Sequence, residues 1–334
     1  MMKAILATAP GSADVLQLRD IPKPELPTSH HLLVKLAAAG VNPVDTKLRA
    51  KPVYFPDKLP AILGCDGAGV VEAVGSAVTR FKAGDQVFFC NGGIGDEPGN
   101  YAEYTTLHED YCAKKPVNTG LQDSAALPLV FITAWESLVE RVGLQAGQTV
   151  LIHAGAGGVD HVAVQLARHL GARVAVTVGD DRKAALARGY GAEMTINYKT
   201  QDFVQETLNW TGGQGADVVF DTVGGETFLR SLSAARVYGK VVSLLSTPLP
   251  LADTQLARTR NLSLCYCLML APQAMGLHDD RIRQRKILEH AAALVDAGKL
   301  TVHVSCILPL EHAAEAHRLI EAGGMVGKVV LTMG

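Results

Sequence analysis

The pattern of hydrophobic and polar positions divides the chain into two parts. Eleven of the fifteen prolines lie at or before Pro128, and prolines in this density mark turns and edge strands. Residues 32–36 and the glycine-bounded residues 67–75 are predicted strands within this part. The first third of the chain is therefore predicted to consist mainly of short strands and turns.

From about residue 121 onward, predicted strands and helices alternate. The strands are residues 149–152, 173–178, 216–220 and 240–245, and apolar residues recur at helical spacing from Val159 to Leu170, ahead of a second helix through Leu186. A longer helix is predicted at residues 283–297, and residues 327–331 are predicted to return as a last strand to the first part. A parallel sheet with crossover helices requires such alternation, so the predicted class is α/β.

A glycine turn joins the first of these strands to its helix. Gly155, Gly157 and Gly158 lie in the turn, followed by Val159. Glycines let the backbone approach a pyrophosphate closely, and the free N–H groups of the helix start bind that anion. The strand–turn–helix context predicts a dinucleotide site; an ordinary β–α turn is the alternative.

Asp160 stands where the third glycine of the G-x-G-x-x-G pattern is expected. We expect its side chain to lie at a partly exposed position and to add a negative charge near the phosphates. A cost of about 1.4 kcal/mol corresponds to a tenfold weaker dissociation constant. Replacement by glycine is accordingly expected to tighten NADPH binding about tenfold or more, with a smaller gain at high salt.

The end of the second strand bears on the choice of cofactor. Sites for NAD usually place an acidic residue there to bind the ribose hydroxyls, whereas this strand ends at Val178. Lys183 and Tyr198 could serve a 2′-phosphate, although Asp180 and Asp181 would oppose it. NADPH is therefore favoured, with NADH left open.

Composition excludes several other classes of protein. The formal net charge is −2, with 48% hydrophobic and 19% charged residues, which argues against a nucleic-acid partner or an anionic membrane. The apolar stretch at residues 4–9 is too short for a signal peptide, and no later run approaches a membrane span. Six scattered cysteines favour a reducing compartment, so we expect a cytoplasmic protein.

Several stretches together resemble the medium-chain dehydrogenase/reductase superfamily, in its zinc-free quinone oxidoreductase (zeta-crystallin-like) branch. They occur in order at residues 40–45, 63–71, 81–87, 133–136, the glycine turn, 221–225 and 327–331. The resemblance implies a β-rich GroES-like substrate domain, residues 1–121 and 266–334, and a Rossmann domain with a doubly wound parallel sheet, residues 122–265. It also implies an active-site cleft between the domains and a homodimer, to which the apolar, strand-like residues 261–270 would contribute an open sheet edge.

The zinc ligands of the related alcohol dehydrogenases are missing. Their catalytic cysteine and histidine fall in the first two stretches, where this chain has Asn42 to Asp45 and the pair Cys65-Asp66. A catalytic zinc needs about three protein ligands, which Cys65 alone cannot supply. The four closely spaced cysteines of the structural zinc lobe are also missing, since the corresponding stretch contains only Cys90 and Cys112. We therefore predict a protein without zinc.

The resemblance also implies the site residues. Asn42 and Tyr54 are assigned to catalysis, Tyr54 as a phenol that donates to the acceptor oxygen; packing of a proline-rich loop is the alternative for Tyr54. The residues assigned to the cofactor are Thr133, Gly155, Gly157, Gly158, Val159, Thr177, Lys183, Tyr198, Leu245, Ser246 and Lys328. His153 is expected to be a packed neighbour of the turn, and His161 to lie on a helix surface.

The predicted activity is NADPH-dependent transfer of a hydride to a small quinone or α,β-unsaturated carbonyl compound. Conjugation activates such acceptors, so a hydrogen-bond donor suffices for the developing oxygen charge. A cofactor-impaired binding protein on the same scaffold and a zinc-type alcohol dehydrogenase relative with another small carbonyl or alcohol substrate remain as alternatives.

Overall fold

The computed structural model describes residues 1–52, 57–95 and 97–334. The described residues form sixteen strands. In chain order they are β1 Met2–Ala7, β2 Leu16–Ile21, β3 His31–Val41, β4 Ala61–Ile62, β5 Asp66–Val74, β6 Gln86–Cys90, β7 Tyr104–His108, β8 Ala113–Lys114, β9 Thr149–Ile152, β10 Arg173–Val178, β11 Met194–Asn197, β12 Ala216–Asp221, β13 Ala235–Ser243, β14 Ser263–Tyr266, β15 Val304–Pro309 and β16 Lys328–Thr332.

Eleven α-helices accompany the strands in the described ranges. They are α1 Pro43–Ala50, α2 Leu121–Ala125, α3 Pro128–Trp135, α4 Asp160–His169, α5 Asp181–Tyr190, α6 Phe203–Trp210, α7 Gly225–Ala234, α8 Leu251–Thr259, α9 Ala271–Ala274, α10 His278–Asp296 and α11 Ala313–Ala322. Short 3₁₀ turns cover Ala13–Val15, Glu109–Tyr111 and Leu310–His312, and a π-helix covers Glu136–Arg141. None of the helices described is both long enough and apolar enough to cross a membrane.

The chain divides into two compact units. The first contains residues 1–132 and 270–334, and the second contains residues 133–269. The sequence pattern had placed these divisions at 121/122 and 265/266. Part of the difference has a local cause, because the amide of Leu129 donates a hydrogen bond to buried Asp66 (2.8 Å) and holds the start of α3 in the first unit.

The first unit is built around the long strand β3. This strand pairs antiparallel with β5, β7 and β16 in a seven-stranded sheet, and β1 lies between β2 and β4 in a smaller one. The pairing of Val330 with Gly40 shows that the last strand returns to this unit, as predicted. Apolar side chains of β3, β5 and β6, including Leu32, Val71 and Phe89, form its core.

The second unit is a doubly wound parallel sheet. Its strand order is β11-β10-β9-β12-β13-β14, with every neighbouring pair parallel. This is the 3-2-1-4-5-6 order of the dinucleotide-binding fold, so the predicted Rossmann sheet is confirmed. Val150, Leu151 and Ile152 of the central strand are fully buried, as expected for a strand covered on both faces.

Two predicted elements have different bounds in the structure. The helix predicted at 283–297 is α10, which already begins at His278. The strand-like run 261–270 forms a strand only at Ser263–Tyr266. Its partner strand explains this length, since β13 ends at Ser243 and Tyr266 is the residue paired with Ser243.

Candidate functional site

The glycine turn of the second unit is closely packed at two of its glycines. A Cβ on Gly155 would lie 2.5 Å from the Cβ of Val176 in the neighbouring strand, a separation that atoms do not tolerate. A Cβ on Gly157 would lie 2.4 Å from Oδ2 of Asp160. The turn therefore packs against β10 on one side and against the Asp160 carboxyl on the other.

This turn lies where the order of the sheet reverses. Strands β9 and β12 are adjacent, and the backbone N–H of His153, just after β9, donates to Phe220 of β12 (3.1 Å). Ligands of open α/β sheets bind at the carboxyl ends of the strands at such a switch point. The first amides of α4 point back into the turn, where that of His161 donates to Gly157 (3.2 Å). An anion at this helix N-terminus would therefore meet the preceding amides of Gly158 and Val159.

Asp160 does not lie where the sequence pattern had placed it. The expectation of a partly exposed carboxylate was wrong, because only 4% of Asp160 is exposed. Burial raises the pKa of its carboxyl to about 8, since the low-dielectric surroundings disfavour the charged form. The carboxyl is therefore mostly protonated at neutral pH, and the expected charge repulsion is largely absent there.

Two buried oxygens of the turn region have no hydrogen-bond partner within the described ranges. They are Oδ1 of Asp160 and Oγ1 of Thr222, the residue after β12. The Thr222 side chain neighbours the Asp160 carboxyl and lowers its pKa, against the larger effect of burial. Buried polar atoms are rarely left unsatisfied, so this pair fits a site whose ligand brings further polar atoms. The sequence pattern did not single out Thr222, whose part in the site depends on strand order.

His153 and Thr177 hold the start of the turn. Nδ1 of His153 lies 3.1 Å from Oγ1 of Thr177 and its Nε2 lies 2.9 Å from Oγ of Ser231, while the amide of Ala154 donates to the Thr177 hydroxyl (3.1 Å). Burial lowers the pKa of His153 to about 4, so its ring is neutral at pH 7. The structure thus places His153 as the packed neighbour that was predicted.

His161 was expected on a helix surface, and this was wrong. The side chain is fully buried, and its Nδ1 lies 2.8 Å from the carbonyl oxygen of Gly157. Its ring packs against Tyr190 of α5. The packing of α5 against α4 covers this face, which the pattern of α4 alone does not reveal.

Lys183 and Tyr198 both lie beyond the carboxyl end of β10. Asp180 caps α5 by accepting the amide of Lys183 (2.8 Å), and Nζ of Lys183 lies 4.0 Å from the same carboxylate. Tyr198 is 54% exposed. Its hydroxyl lies over Gly179, where an added Cβ would be 2.7 Å away. Both residues therefore lie near the end of β10, and their binding of a 2′-phosphate stays a prediction.

The remaining residues of the second unit assigned to the cofactor are scattered over several elements. Leu245 lies against Gly224, since a Cβ added to Gly224 would be 2.9 Å from Cδ1 of Leu245. Ser246 is exposed in the loop after β13. Thr133 is buried in α3. Gly158 and Val159 are half-buried and directly precede α4.

A buried polar cluster lies in the first unit around Asn42. Its Nδ2 donates to Asp66 (2.9 Å), and its Oδ1 accepts from the ammonium of Lys328. Lys328 also donates to the carbonyl of Val41 (3.2 Å), and its Nζ lies 3.7 Å from Asp66. Burial lowers the pKa of Lys328 and raises that of Asp66. These contacts fix the orientation of the Asn42 amide.

The cluster continues through Asp45. This carboxyl accepts from the backbone of Asn42 (2.8 Å) and from the hydroxyl of Tyr101 (2.9 Å), which lies 3.3 Å from Nε2 of His317. Nδ1 of His317 is 3.2 Å from the guanidinium of Arg49. Burial raises the pKa of Asp45 to about 6. Sequence patterns do not reveal this network, because its members come from distant parts of the chain.

The positions that correspond to the zinc ligands of the related alcohol dehydrogenases lie in the same unit. Cys65 is buried and its Sγ donates to Asp45 (3.7 Å), and burial raises the thiol pKa values of Cys65 and Cys90. Within residues 1–52, 57–95 and 97–334, no group of three or more His, Cys, Asp or Glu side chains could hold a metal ion. Tyr54 lies outside the described residues, so its predicted role stays a prediction.

Comparison with known proteins identifies the family. The model of the alcohol dehydrogenase GroES-like domain matches residues 28–117, and that of the zinc-binding dehydrogenases matches residues 190–331. A quinone oxidoreductase of Pseudomonas aeruginosa is 33% identical over 331 residues, which cover 99% of each chain.

Solved structures agree with this assignment. An alcohol dehydrogenase superfamily protein from Novosphingobium aromaticivorans is 34% identical, with a TM-score of 0.92 and 100% of each chain covered. The Escherichia coli quinone oxidoreductase, solved in complex with NADPH, is 29% identical with a TM-score of 0.87 over 99% of each chain. The chain therefore belongs to the medium-chain dehydrogenase/reductase superfamily, in its quinone oxidoreductase-like branch, and the prediction of an NAD(P)H-dependent oxidoreductase is confirmed.

Proposed function

We propose that this protein reduces quinones or α,β-unsaturated carbonyl compounds with NADPH and without zinc. The observation that carries the proposal is the glycine turn at the switch point of the parallel sheet, with two buried oxygens beside it that lack partners in the described residues. NADPH, when bound, supplies the hydride. The similarity to the NADPH-bound Escherichia coli quinone oxidoreductase supports the same cofactor for this chain.

The second unit supplies the cofactor residues in this proposal. The amides at Gly158 and Val159 would receive the diphosphate at the start of α4, where the helix dipole favours an anion. The amide of Gly157 donates to the carbonyl of Ala154 (2.7 Å) and shapes the turn. Thr177 holds the turn through the amide of Ala154. The contacts assigned to Thr133, Leu245 and Ser246 stay predictions.

Lys183 and Tyr198 favour NADPH over NADH. A lysine ammonium and a phenol can both donate hydrogen bonds to a 2′-phosphate, and both side chains lie at the end of β10. Asp180, which was expected to oppose a phosphate, already accepts the amide of Lys183 and lies near its ammonium. Its charge is thereby partly compensated.

The first unit supplies Asn42 in a fixed orientation. Lys328 and Asp66 bind the two ends of its amide, so one N–H of Nδ2 is left to donate. We assign that donor to the acceptor oxygen, together with the phenol of Tyr54. Lys328 was predicted to contact the cofactor, and its ammonium already has carbonyl and carboxylate neighbours in the first unit.

We also propose a homodimer formed through β14. This strand is at the end of the sheet order, and Tyr266, its last residue, and Leu268, just after it, are about half exposed. An open, apolar edge favours pairing with a second copy. Sedimentation velocity at micromolar concentration tests the dimer, and a monomer would contradict it.

A reducing cytoplasmic location is proposed from the six cysteines, all of which are free.

Cofactor preference is tested with Lys183→Ala and Tyr198→Phe. Titration of each variant with NADPH and with NADH should show weaker NADPH binding and unchanged NADH binding, because NADH lacks the 2′-phosphate. Arg182→Ala, one residue away on α5, serves as the matched control. Equal losses for both cofactors would contradict the assignment.

The zinc-free reaction is tested by elemental analysis. A result of about one zinc per chain would contradict it.

A further inference from the structure

The carboxyl of Asp160 occupies part of the space of the glycine turn. Its Oδ2 lies where it would meet a Cβ of Gly157 at 2.4 Å, and its Oδ1 is buried without a partner in the described part of the chain. Asp160 is also the first residue of α4, a ten-residue helix whose N-terminus faces the switch point. A buried carboxyl, only 4% exposed, is unexpected at a helix N-terminus that is proposed to bind an anion.

We propose that Asp160 in its protonated form is a ligand of the dinucleotide diphosphate, donating one hydrogen bond, and that loss of this single proton weakens cofactor binding. The inference rests on the proposed cofactor site. It adds a residue to that site and makes the site sensitive to pH.

Hydrogen-bonding capacity supports the protonated form. A protonated carboxyl has one O–H donor, whereas a carboxylate only accepts. The unpartnered Oδ1 can carry that proton, and diphosphate oxygens are strong acceptors for it. The Thr222 hydroxyl lies close enough to the carboxyl to lower its pKa, and it can turn to a ligand as a second donor. The two groups together match an acceptor-only ligand.

The charges around Asp160 act in the same direction. Asp221 at the end of β12 raises the pKa of Asp160, in addition to the effect of burial. Asp221 itself accepts from the amides of Val223 (3.1 Å) and Gly224 (2.9 Å) and from the Ser243 hydroxyl (2.6 Å). A second carboxylate beside it would be repelled at short range in a low dielectric.

Among the described residues, the other titratable groups around the start of α4 do not supply a compensating positive charge. His153, after β9, has a pKa lowered to about 4 by burial and is neutral. Tyr190 of α5 packs on His161, and burial raises the pKa of its phenol. His161 of α4 itself is bonded to the Gly157 carbonyl. Lys183 lies beside Asp180 at the start of α5.

Linkage turns this arrangement into a measurable pH dependence. A ligand that requires the protonated form loses about tenfold in affinity for each pH unit above the pKa of the free protein. With that pKa at about 8, binding should be nearly constant below neutral pH and should weaken in the alkaline range. Binding at alkaline pH should also take up one proton.

The test is calorimetric titration with NADPH from about pH 6.5 to about pH 9.5 for the wild type, Asp160→Asn and Asp160→Gly. Asn keeps the shape and a donor but cannot ionise, and Gly removes the group. We expect the wild-type dissociation constant to rise about tenfold over the last pH unit relative to both variants. Titrations at alkaline pH in two buffers of different ionisation enthalpy should show uptake of about one proton by the wild type only.

The variants also act as controls for other groups. Lys183 and Tyr198 are present in all three proteins, so their effects cancel in the comparison. Parallel pH profiles for the three proteins, or no proton uptake by the wild type, would overturn the inference while leaving the cofactor site intact. Failure of all three proteins to bind NADPH or NADH at any pH would instead refute the proposed function.

A second readout needs no cofactor. The infrared spectrum of the ligand-free wild type at neutral pH should contain a protonated carboxyl band that is absent from Asp160→Asn and that disappears at alkaline pH. Identical carboxyl bands in the two proteins would contradict the protonated state.

Discussion

The hydroxyl of Tyr101 donates a hydrogen bond to Oδ2 of Asp45 across 2.9 Å, and both side chains are completely buried. These residues are 56 positions apart in the chain, and their contact joins the loop before β7 to the first helix. The bond also holds the carboxyl that accepts the backbone amide of Asn42. The position of Asn42 therefore depends on Tyr101.

Removal of this hydroxyl should destabilise the protein. Tyr101→Phe leaves a buried acceptor with one donor fewer, a change that costs about 1–3 kcal/mol of unfolding free energy. Urea unfolding measures the loss. Tyr238→Phe is the matched control, since Tyr238 is 70% exposed and should show no loss. Equal stability of Tyr101→Phe and the wild type would contradict the assigned bond.

Gly155 should not tolerate even one methyl group. In Gly155→Ala the new Cβ would lie 2.5 Å from Val176, so we expect a lower unfolding temperature and loss of NADPH binding. Gly189→Ala is the control, because no atom lies within 4 Å of its added Cβ and alanine favours the helix by about 1 kcal/mol. Val176→Gly removes the Cβ that the new methyl group would meet, so Gly155→Ala should cost less stability in that background than in the wild type. An equal cost in both backgrounds would argue against that contact.

His317 should make the protein sensitive to acid. Burial and the nearby Arg49 guanidinium lower the pKa of His317 to about 3. The native state thus binds fewer protons than the unfolded state between about pH 6.5 and 3. The free energy of unfolding therefore decreases as the pH is lowered through this range, by at most about 1.4 kcal/mol per pH unit for one group. In His317→Gln this slope should be smaller, whereas His312→Gln, at an exposed position, should keep it. Unfolding by urea at several pH values decides between these outcomes.

Asp160 should affect stability with the opposite sign. Its folded pKa, about 8, is above the ordinary value of an aspartate, 3.8, so the native state binds more protons and this contribution to stability is lost as pH rises from about 4 to 8. Asp160→Asn removes that loss. We expect the variant to be more stable than the wild type at pH 7, by on the order of a few kcal/mol, with the difference shrinking toward pH 4. A difference that does not change with pH would contradict the burial of an ionisable group here.

The fold could be predicted well because its signals are local. The buried run at 149–152 and the helical stripe after Val159 predicted β9 and α4, and the glycine turn predicted the dinucleotide-binding order of the sheet. The strand run 261–270 was predicted too long, since the length of β14 depends on its partner β13.

The site was harder to predict for the same reason. Whether Asp160 and His161 are exposed depends on what packs against α4, and the sequence of α4 does not contain that information. Thr222 joins the turn only because β12 lies beside β9 in the sheet. The contacts of Tyr101 with Asp45 and His317 span 56 and 216 positions, which no periodicity connects.

The central claim is tested most directly by turnover of NADPH with 1,4-benzoquinone after exhaustive dialysis against a chelator. Loss of NADPH absorbance is followed for the wild type and for Gly155→Ala, with ethanol and NADP⁺ as the alternative substrate pair. The proposal predicts rapid oxidation of NADPH by the wild type, none above background by Gly155→Ala, and no alcohol oxidation. Activity that disappears with the chelator and returns with zinc, or NADPH oxidation no faster than without protein, would contradict it.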